Sequence, residues 1–204
     1  MHNKYRTCLF CNDTLSCYFD GTRNWFNLIQ ITSRRCLMSE CRLYRWILEF
    51  EISNYQKELV FIGLNPSLSD DKFIDNTTKK IIKISSFNEY GKLKIINLFA
   101  LISKNPENLK THNNPIGFLN NQFINSSFKY WSENINCDLW LGWGNKGKLF
   151  SRNEKVLKIL EKYKKLKQKR FLDFYEPIII RKTKYNNPIH PLYCCDNSKF
   201  IKYI

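Results

Sequence analysis

Four short apolar runs alternate with three stretches of helical character, and this alternation constrains the fold more than any other feature of the sequence. The apolar runs cover residues 58–63, 94–99, 138–143 and 176–181. The helical stretches between and after them cover residues 76–87, 117–131 and 152–169. Alternation of strands and helices predicts an α/β fold, a three-layer α/β/α sandwich with helices on both faces of a central, mainly parallel four-stranded sheet.

A parallel sheet also indicates where a ligand binds. The carboxyl ends of its strands meet at one edge, and the loops at that edge hold the ligand. In this chain these loops cover residues 64–75, 100–115, 144–151 and 183–195. We therefore expect the functional residues in these four loops.

The size of the chain fits one such domain. A length of 204 residues is short for two ordinary domains and a linker, and a hydrophobic content of 43% excludes a disordered or fibrous protein. No apolar run reaches the roughly 18 residues that span a bilayer, and the start MHNKYRTCLF lacks the apolar core of a signal peptide. We expect an intracellular, cytoplasmic protein with no membrane partner.

A Cys-rich segment, residues 1–42, precedes the predicted α/β domain of residues 43–204. Cys8 and Cys11 form a C-x2-C pair, and Cys36 and Cys41 form a C-x4-C pair 24 residues later. This spacing is close to that of structural zinc sites, and a metal would anchor a segment too small for its own core. An iron–sulfur cluster would use the same ligands, and buried thiols without a metal are the third interpretation.

The charge of the chain favours a polyanionic partner. The formal net charge is +15, which attracts nucleic acid. Many basic residues lie in residues 155–170, where apolar residues recur at helical spacing. This pattern predicts an amphipathic helix with a basic outer face that contacts nucleic acid, with DNA as the first choice; a merely solvated face is the alternative.

The loop at residues 142–149 matches the phosphate-binding pattern G-x-x-x-x-G-K between a strand and a helix. Leu149 stands where the Ser or Thr that holds magnesium would be, which disfavours a nucleotide triphosphatase. The backbone amides of the loop can still bind a phosphate at the start of the following helix.

The loop after the first apolar run, GLNPSLSDD at residues 63–71, combines an amide, two hydroxyls and two carboxylates. By itself it can be an Asn-Pro turn followed by a helix cap. Five further motifs follow in order along the chain: DNTT at 75–78, NLFAL at 97–101, NPIG and Asn at 114–120, GWGNKG at 142–147, and TK and HPLY within 183–193. Together with CRLYRW at 41–46, this set resembles the DUF1643 family.

GLNPSLS is also similar, more distantly, to the first active-site motif of the mismatch-specific uracil-DNA glycosylases. NLF, LGWG and the late His-Pro occur in the order of corresponding elements of the wider uracil-DNA glycosylase superfamily. The resemblance implies an α/β/α sandwich and a DNA-binding protein that hydrolyses the N-glycosidic bond of uracil or a modified base. It matches Asn65 to the asparagine that positions the hydrolytic water and His190 to the histidine of the late motif.

Other functions stay open, because HPLYCC lacks the serine-rich continuation of active glycosylases. One alternative is a nucleic-acid-binding module of the same fold without catalysis. The other is an enzyme that acts on a free nucleoside or nucleotide.

The chemistry of base release explains why these residue types are candidates. The reaction needs a positioned water and a donor for the oxygen of the departing base. Asn65 can hold the water, Asp70 or Asp75 can assist it as a carboxylate, and neutral His190 can donate to the base. The candidate base-binding residues are Phe73, Asn97, Phe99 and Tyr193. For the three aromatic residues, packing in the core is the alternative. The candidate nucleic-acid-binding residues are Ser67, Lys146, Lys148, Arg152, Lys164, Lys165 and Lys167.

The cysteine spacing generates a first prediction. Protein purified without added metal is expected to contain one zinc ion per chain, because four thiolates complete a tetrahedral site. Elemental analysis measures the metal, and Cys8→Ser should remove it. A folded protein that contains no metal and whose four thiols all react with an alkylating agent would contradict the prediction.

Overall fold

The computed structural model describes residues 6–7, 14–26, 29–70, 73–172 and 176–204, with the backbone alone described before residue 33 except at Ile31. Within these residues the strands are β1 (Arg6–Thr7), β2 (Thr14–Phe26), β3 (Ile29–Ser39), β4 (Arg45–Glu51), β5 (Lys57–Gly63), β6 (Tyr90–Asn97), β7 (Cys137–Leu141), β8 (Ile178–Ile179) and β9 (Ile201–Lys202). The α-helices are α1 (Asn76–Phe87), α2 (Asn108–Thr111), α3 (Asn120–Glu133) and α4 (Arg152–Arg170). None of the helices in this part of the chain combines the length and the apolar character needed to cross a membrane.

All nine strands of the described residues form one sheet in the order β1-β2-β3-β4-β6-β5-β7-β8-β9. The central four strands, β6-β5-β7-β8, are parallel, whereas every other pair is antiparallel. The predicted four-stranded parallel sheet is therefore correct for the centre and wrong for the whole sheet. Of the antiparallel strands, β4 overlaps the entry strand that the resemblance implies at residues 41–46, whereas β1, β2, β3 and β9 lie outside the alternating strand-helix pattern and were not predicted.

The boundaries of the predicted helices agree closely with those observed, whereas the fourth predicted strand, residues 176–181, is reduced to the two residues of β8. Helix α1 begins and ends as predicted, while α3 begins three residues later than expected. Strand β6 begins at Tyr90, four residues before the predicted start at residue 94. The prediction began too late because the exposed Lys92 interrupts the apolar run.

The N-terminal segment extends the central sheet. The expected boundary at residue 42 falls in the turn between β3 and β4, which are hydrogen-bonded to each other. Cys36 is buried in β3 and Cys41 is exposed in the turn, whereas Cys8 and Cys11 lie outside the described residues. The described residues contain no group of three potential metal ligands, and the four-cysteine zinc site remains a prediction.

Helices cover both faces of the sheet, as predicted. On β5, Leu59 and Phe61 pack in one core with the isoleucines of α1, whereas Val60 and Ile62 pack in a second core with α3 and α4. Successive residues of a strand point to opposite faces, so a continuous apolar run places a core on each side. The result is three layers, with α1 on one face and α3 and α4 on the other.

A buried lysine joins α4 to the end of α3. The Lys167 side chain is fully buried, and its Nζ donates to the carbonyl oxygens of Trp131 at 2.8 Å, Asn134 at 2.7 Å and Cys137 at 3.1 Å. Burial lowers the pKa of this lysine, although the neighbouring Cys137 and Asp138 oppose the shift. Lys167 therefore belongs to the interior and not to the expected nucleic-acid-binding face.

We expect Lys167→Met to lower the free energy of unfolding by about 2 kcal/mol, because three carbonyl oxygens lose the charged donor that Lys167 supplies while the volume is nearly kept. Chemical denaturation measures the loss. Lys165→Met on the exposed side of the same helix is the matched control and should change stability by less than about 0.5 kcal/mol. Equal effects of the two substitutions would contradict the structural role of Lys167.

Candidate active site

A cavity of about 530 Å³ opens at the carboxyl ends of β5, β6 and β7. All four loops that the sequence indicated contribute to its lining. Candidate residues in the lining are Asn65, Ser67, Asp75, Asn97, Lys146, His190 and Tyr193. The structure thus brings seven separately predicted residues together around one space.

Asn65 lies two residues after β5 and connects the first of the four loops, residues 64–75, to the second, residues 100–115, by hydrogen bonds. Its Nδ2 donates to the carbonyl oxygens of Pro66 at 2.9 Å, Ser103 at 2.9 Å and Leu101 at 3.4 Å. Three acceptors on one side fix which end of the amide is the nitrogen. The amide oxygen is at the opposite end of the group, where it can accept a hydrogen bond from a ligand or a water.

His190 is a neutral donor. Its Nδ1 accepts a hydrogen bond from the backbone N–H of Leu192 at 3.3 Å, so the ring proton is on Nε2. Burial lowers the pKa of His190 to about 4, although the charge of nearby Asp75 acts in the opposite direction. At neutral pH the ring therefore carries no charge and offers one N–H to the cavity.

Asp75 caps helix α1. Its Oδ1 accepts from the Thr78 N–H at 2.8 Å, its Oδ2 accepts from the Ser69 N–H at 3.3 Å, and its own N–H donates to Ser69 Oγ at 2.8 Å. Burial by itself raises the pKa of Asp75, but the hydrogen bonds from Thr78 and Ser69 and the charge of Arg45 bring it below its ordinary value. Asp75 is consequently an ionised carboxylate with little capacity to accept a proton.

Arg45 lines the cavity but belongs to none of the candidate residues predicted from the sequence. It is 3% exposed, and its Nη1 donates to the carbonyl oxygen of Ser69. The negative charges of Asp75 and Asp70 lie close enough to compensate part of the cost of burying a guanidinium group. An arginine within the apolar strand sequence RWILEF was the available signal, because a charged residue in a buried strand needs a partner.

Three buried donors of residues that line the cavity have no hydrogen-bond partner among the described residues. They are Arg45 Nε, Asn97 Nδ2 and Trp143 Nε1. Asn97 is the last residue of β6 and is 4% exposed. It packs against Gly63, where a Cβ atom would lie 2.9 Å from Asn97 Oδ1. These three nitrogen atoms are enclosed behind the surface of the cavity and are not presented to a ligand in it.

Three of the other candidates lie outside the lining. Asp70 pairs with Arg42 at 2.9 Å and accepts from the Phe73 N–H at 2.8 Å. The Phe73 side chain is 53% exposed, whereas Phe99 is fully buried in the core. Asp70 and Phe73 therefore support the shape of the first loop, and Phe99 has the packing role that was the alternative interpretation.

The predicted basic residues fall into separate regions. Arg152 is buried, with its Nε donating to Leu98 O at 2.8 Å and its Nη2 donating to Asn121 Oδ1 at 2.7 Å, and it therefore lies inside the fold. Lys148 is exposed but does not line the cavity. Lys146 lines the cavity and pairs with Glu107 at 2.7 Å.

The basic end of α4 is far from the cavity. This helix has 19 residues, which corresponds to about 28 Å. It begins near the carboxyl edge of the sheet, and Lys167 near its end contacts the first residue of β7 at the opposite edge. Lys164, which pairs with Glu176 at 2.8 Å, and exposed Lys165 therefore lie near the amino edge.

The state of His190 generates a prediction about pH. An ordinary histidine titrates near pH 6.5, whereas folded His190 should titrate near pH 4. The unfolded chain therefore binds the proton first, and the free energy of unfolding should fall as pH falls from about 6.5 to about 4. NMR titration of the ring gives the midpoint directly.

The variant His190→Gln is the control for this prediction, because it removes the titrating ring. Its stability should depend less on pH than that of the wild type within this window. A ring that titrates near pH 6.5 would show that the site is more hydrated than its burial indicates.

Comparison with known proteins identifies the family but no activity. The family model of DUF1643, described as a protein of unknown function, matches residues 45–192. No curated protein matches the chain, and no solved structure does. The matched residues form well over half of the chain and include nearly the whole cavity lining. The chain belongs to the DUF1643 family.

Proposed function

We propose that the cavity receives a base of DNA and that the protein hydrolyses the N-glycosidic bond of uracil or a modified base. The observation that carries this proposal is the position of Asn65 and His190 on one cavity, where one side chain offers an acceptor and the other a neutral donor. A volume of about 530 Å³ is in the ordinary range for a small-ligand site. Four parallel strands between helical layers are also what the resemblance to uracil-DNA glycosylases implies.

A neutral hydrogen-bond donor at the cavity can stabilise the departing base. As the C1′–N bond breaks, its electron pair moves to the base and negative charge develops on the base oxygens. The Nε2–H of His190 is the donor for these oxygens, and Asn97 borders the same cavity. With a pKa near 4, His190 stabilises the charge by a hydrogen bond and does not transfer a proton.

At the sugar, the reaction needs a positioned water and a negative charge. The amide oxygen of Asn65 accepts a hydrogen bond from the water, whose oxygen then bonds to C1′. The proton that this water loses passes to solvent at the open cavity, and the base anion takes up a proton from solvent as it leaves. The sugar is positively charged when the base departs, and the ionised carboxylate of Asp75 stabilises it electrostatically. Because Asp75 is a poor proton acceptor, this arrangement suits a reaction in which bond cleavage precedes the attack of water.

We predict that the protein converts oligonucleotides that carry uracil or a modified base into abasic products, detected by mass spectrometry. His190→Ala should lower the rate about 100- to 1,000-fold, because a preorganised donor to the developing charge is lost. Asn65→Ala should abolish the release of base while DNA affinity is largely kept, because the positioned water acts in the transition state. Asn113→Ala, which changes an exposed asparagine outside the cavity, is the matched control and should leave the rate unchanged.

The same experiment separates the alternatives. Binding of DNA without release of any base supports the module without catalysis. Release of base from free nucleosides or nucleotides but not from oligonucleotides supports an enzyme of small substrates. Because Asn65 also joins two loops, thermal unfolding of Asn65→Ala must show a folded protein before its rate is interpreted.

A further inference from the structure

Exposed basic, aromatic and apolar side chains line the cavity at Lys104, Lys146, Leu192 and Tyr193, and Lys184 and Tyr185 follow Thr183, which is hydrogen-bonded to the lining residue Asn145. We call Lys104, Lys146, Lys184, Tyr185, Leu192 and Tyr193 together the mouth surface. We propose that this surface binds single-stranded DNA. The inference rests on the proposed function to the extent that the bound strand presents one of its bases to the cavity.

The charge of the mouth surface suits a phosphate backbone. Within the part of the chain that the structure describes, Lys104 and Lys184 have no carboxylate partner. Lys104 lines the cavity, and Lys184 lies in the same loop as His190. Since the basic end of α4 lies near the opposite edge of the sheet, these lysines supply the positive charge that a strand at the cavity meets.

The aromatic residues distinguish a single strand from a duplex. Tyr193 is 75% exposed and Tyr185 is 56% exposed, and Leu192 adds further exposed apolar area. Exposed aromatic rings beside cations are typical of surfaces on which unpaired bases stack. In a duplex the faces of the bases are covered by their neighbours, so the rings would find little to stack on.

Both tyrosines are presented by rigid backbone. Tyr185 lies in a tight turn, in which the Thr183 N–H donates to Asn187 O at 2.8 Å and the Asn186 N–H donates to Thr183 O at 2.9 Å. The Tyr193 N–H donates to His190 O at 3.0 Å in a short 3-10 helix. Aromatic side chains on fixed backbone lose little conformational freedom on binding, which favours a stacking role.

The turn is also joined to the cavity. Thr183 Oγ1 donates to Asn145 Oδ1 at 2.7 Å, and Asn145 lines the cavity. Leu192 and Tyr193 belong to the lining themselves. A base inside the cavity and the unpaired bases beside it can therefore be bound by adjoining parts of one surface.

Fluorescence anisotropy with a labelled 12-nucleotide oligo(dT) tests the proposal, with a duplex of the same length as the comparison. We expect tighter binding of the single strand. Tyr185→Ala and Tyr193→Ala should each weaken that binding roughly 5- to 150-fold, because one stacked base is lost. The corresponding Phe variants should retain it.

Salt dependence and a remote tyrosine provide the controls. The tyrosine variants should keep the wild-type dependence of affinity on salt, whereas Lys184→Ala should reduce its slope by about one or slightly less, because one phosphate contact is lost. Tyr55→Ala is the matched control, because Tyr55 is 52% exposed and precedes β5 at the opposite edge of the sheet. It should leave the affinity unchanged.

Two results would overturn the inference: equal or tighter binding of the duplex, or unchanged single-strand affinity in both folded tyrosine variants. The test is independent of catalysis. If binding of the single strand depends on the tyrosines but no base is released, the proposed chemistry is wrong and the proposal that the mouth surface binds single-stranded DNA stands. If base is released but single-strand affinity is unchanged in both tyrosine variants, the proposal for the mouth surface is wrong and the proposed chemistry stands.

Discussion

The parallel pairing of β5 with β6 on one side and β7 on the other is the constraint on which the site depends. It brings the carboxyl ends of the three strands to one edge, so that Asn65, Asn97 and Trp143 surround the same space although they are far apart in sequence. The apolar residues of β5 stabilise this arrangement, since they alternate between two cores. Packing on both faces therefore fixes the positions of the loops.

Hydrogen bonds between loops then determine the character of the cavity. Asn65 joins the first loop to the second, and Asn145 joins the third to the fourth. At the start of α1, Ser69 and Thr78 hold Asp75 as an ionised cap beside buried Arg45. The site combines a compensated pair of charges with a neutral histidine, and this combination suits stabilisation of charge more than transfer of protons.

The unpartnered donors of the wall have an energetic consequence. A buried donor without a partner costs about 1–3 kcal/mol of stability. Arg45 Nε, Asn97 Nδ2 and Trp143 Nε1 all belong to residues that line the cavity. Because these three nitrogen atoms are enclosed, the cost belongs to the stability of the fold and is not recovered by a ligand in the cavity.

The sequence by itself determined the central strands, the three long helices and the four loops around the cavity, because hydrophobic periodicity and glycine-containing loops are local signals. It also identified Asn65, Asp75, Asn97 and His190, which the structure brings to one cavity. Only the tertiary structure decided the role of several charged residues. Lys167 and Lys165 both belong to the basic run, yet the first is buried against three carbonyl oxygens and the second is exposed.

The same holds for Arg45, the tautomer of His190 and the antiparallel strands β2 to β4. The partners of Arg45 and the extent of burial around His190 come from loops distant in the chain. Strand pairing likewise depends on which edge of the sheet is available. Local patterns in a sequence indicate the periodicity of a helix or strand. The burial of a side chain and its hydrogen-bond partners arise only when distant elements pack together. Burial and partners then determine the charge of the side chain and the hydrogen bonds that it can make.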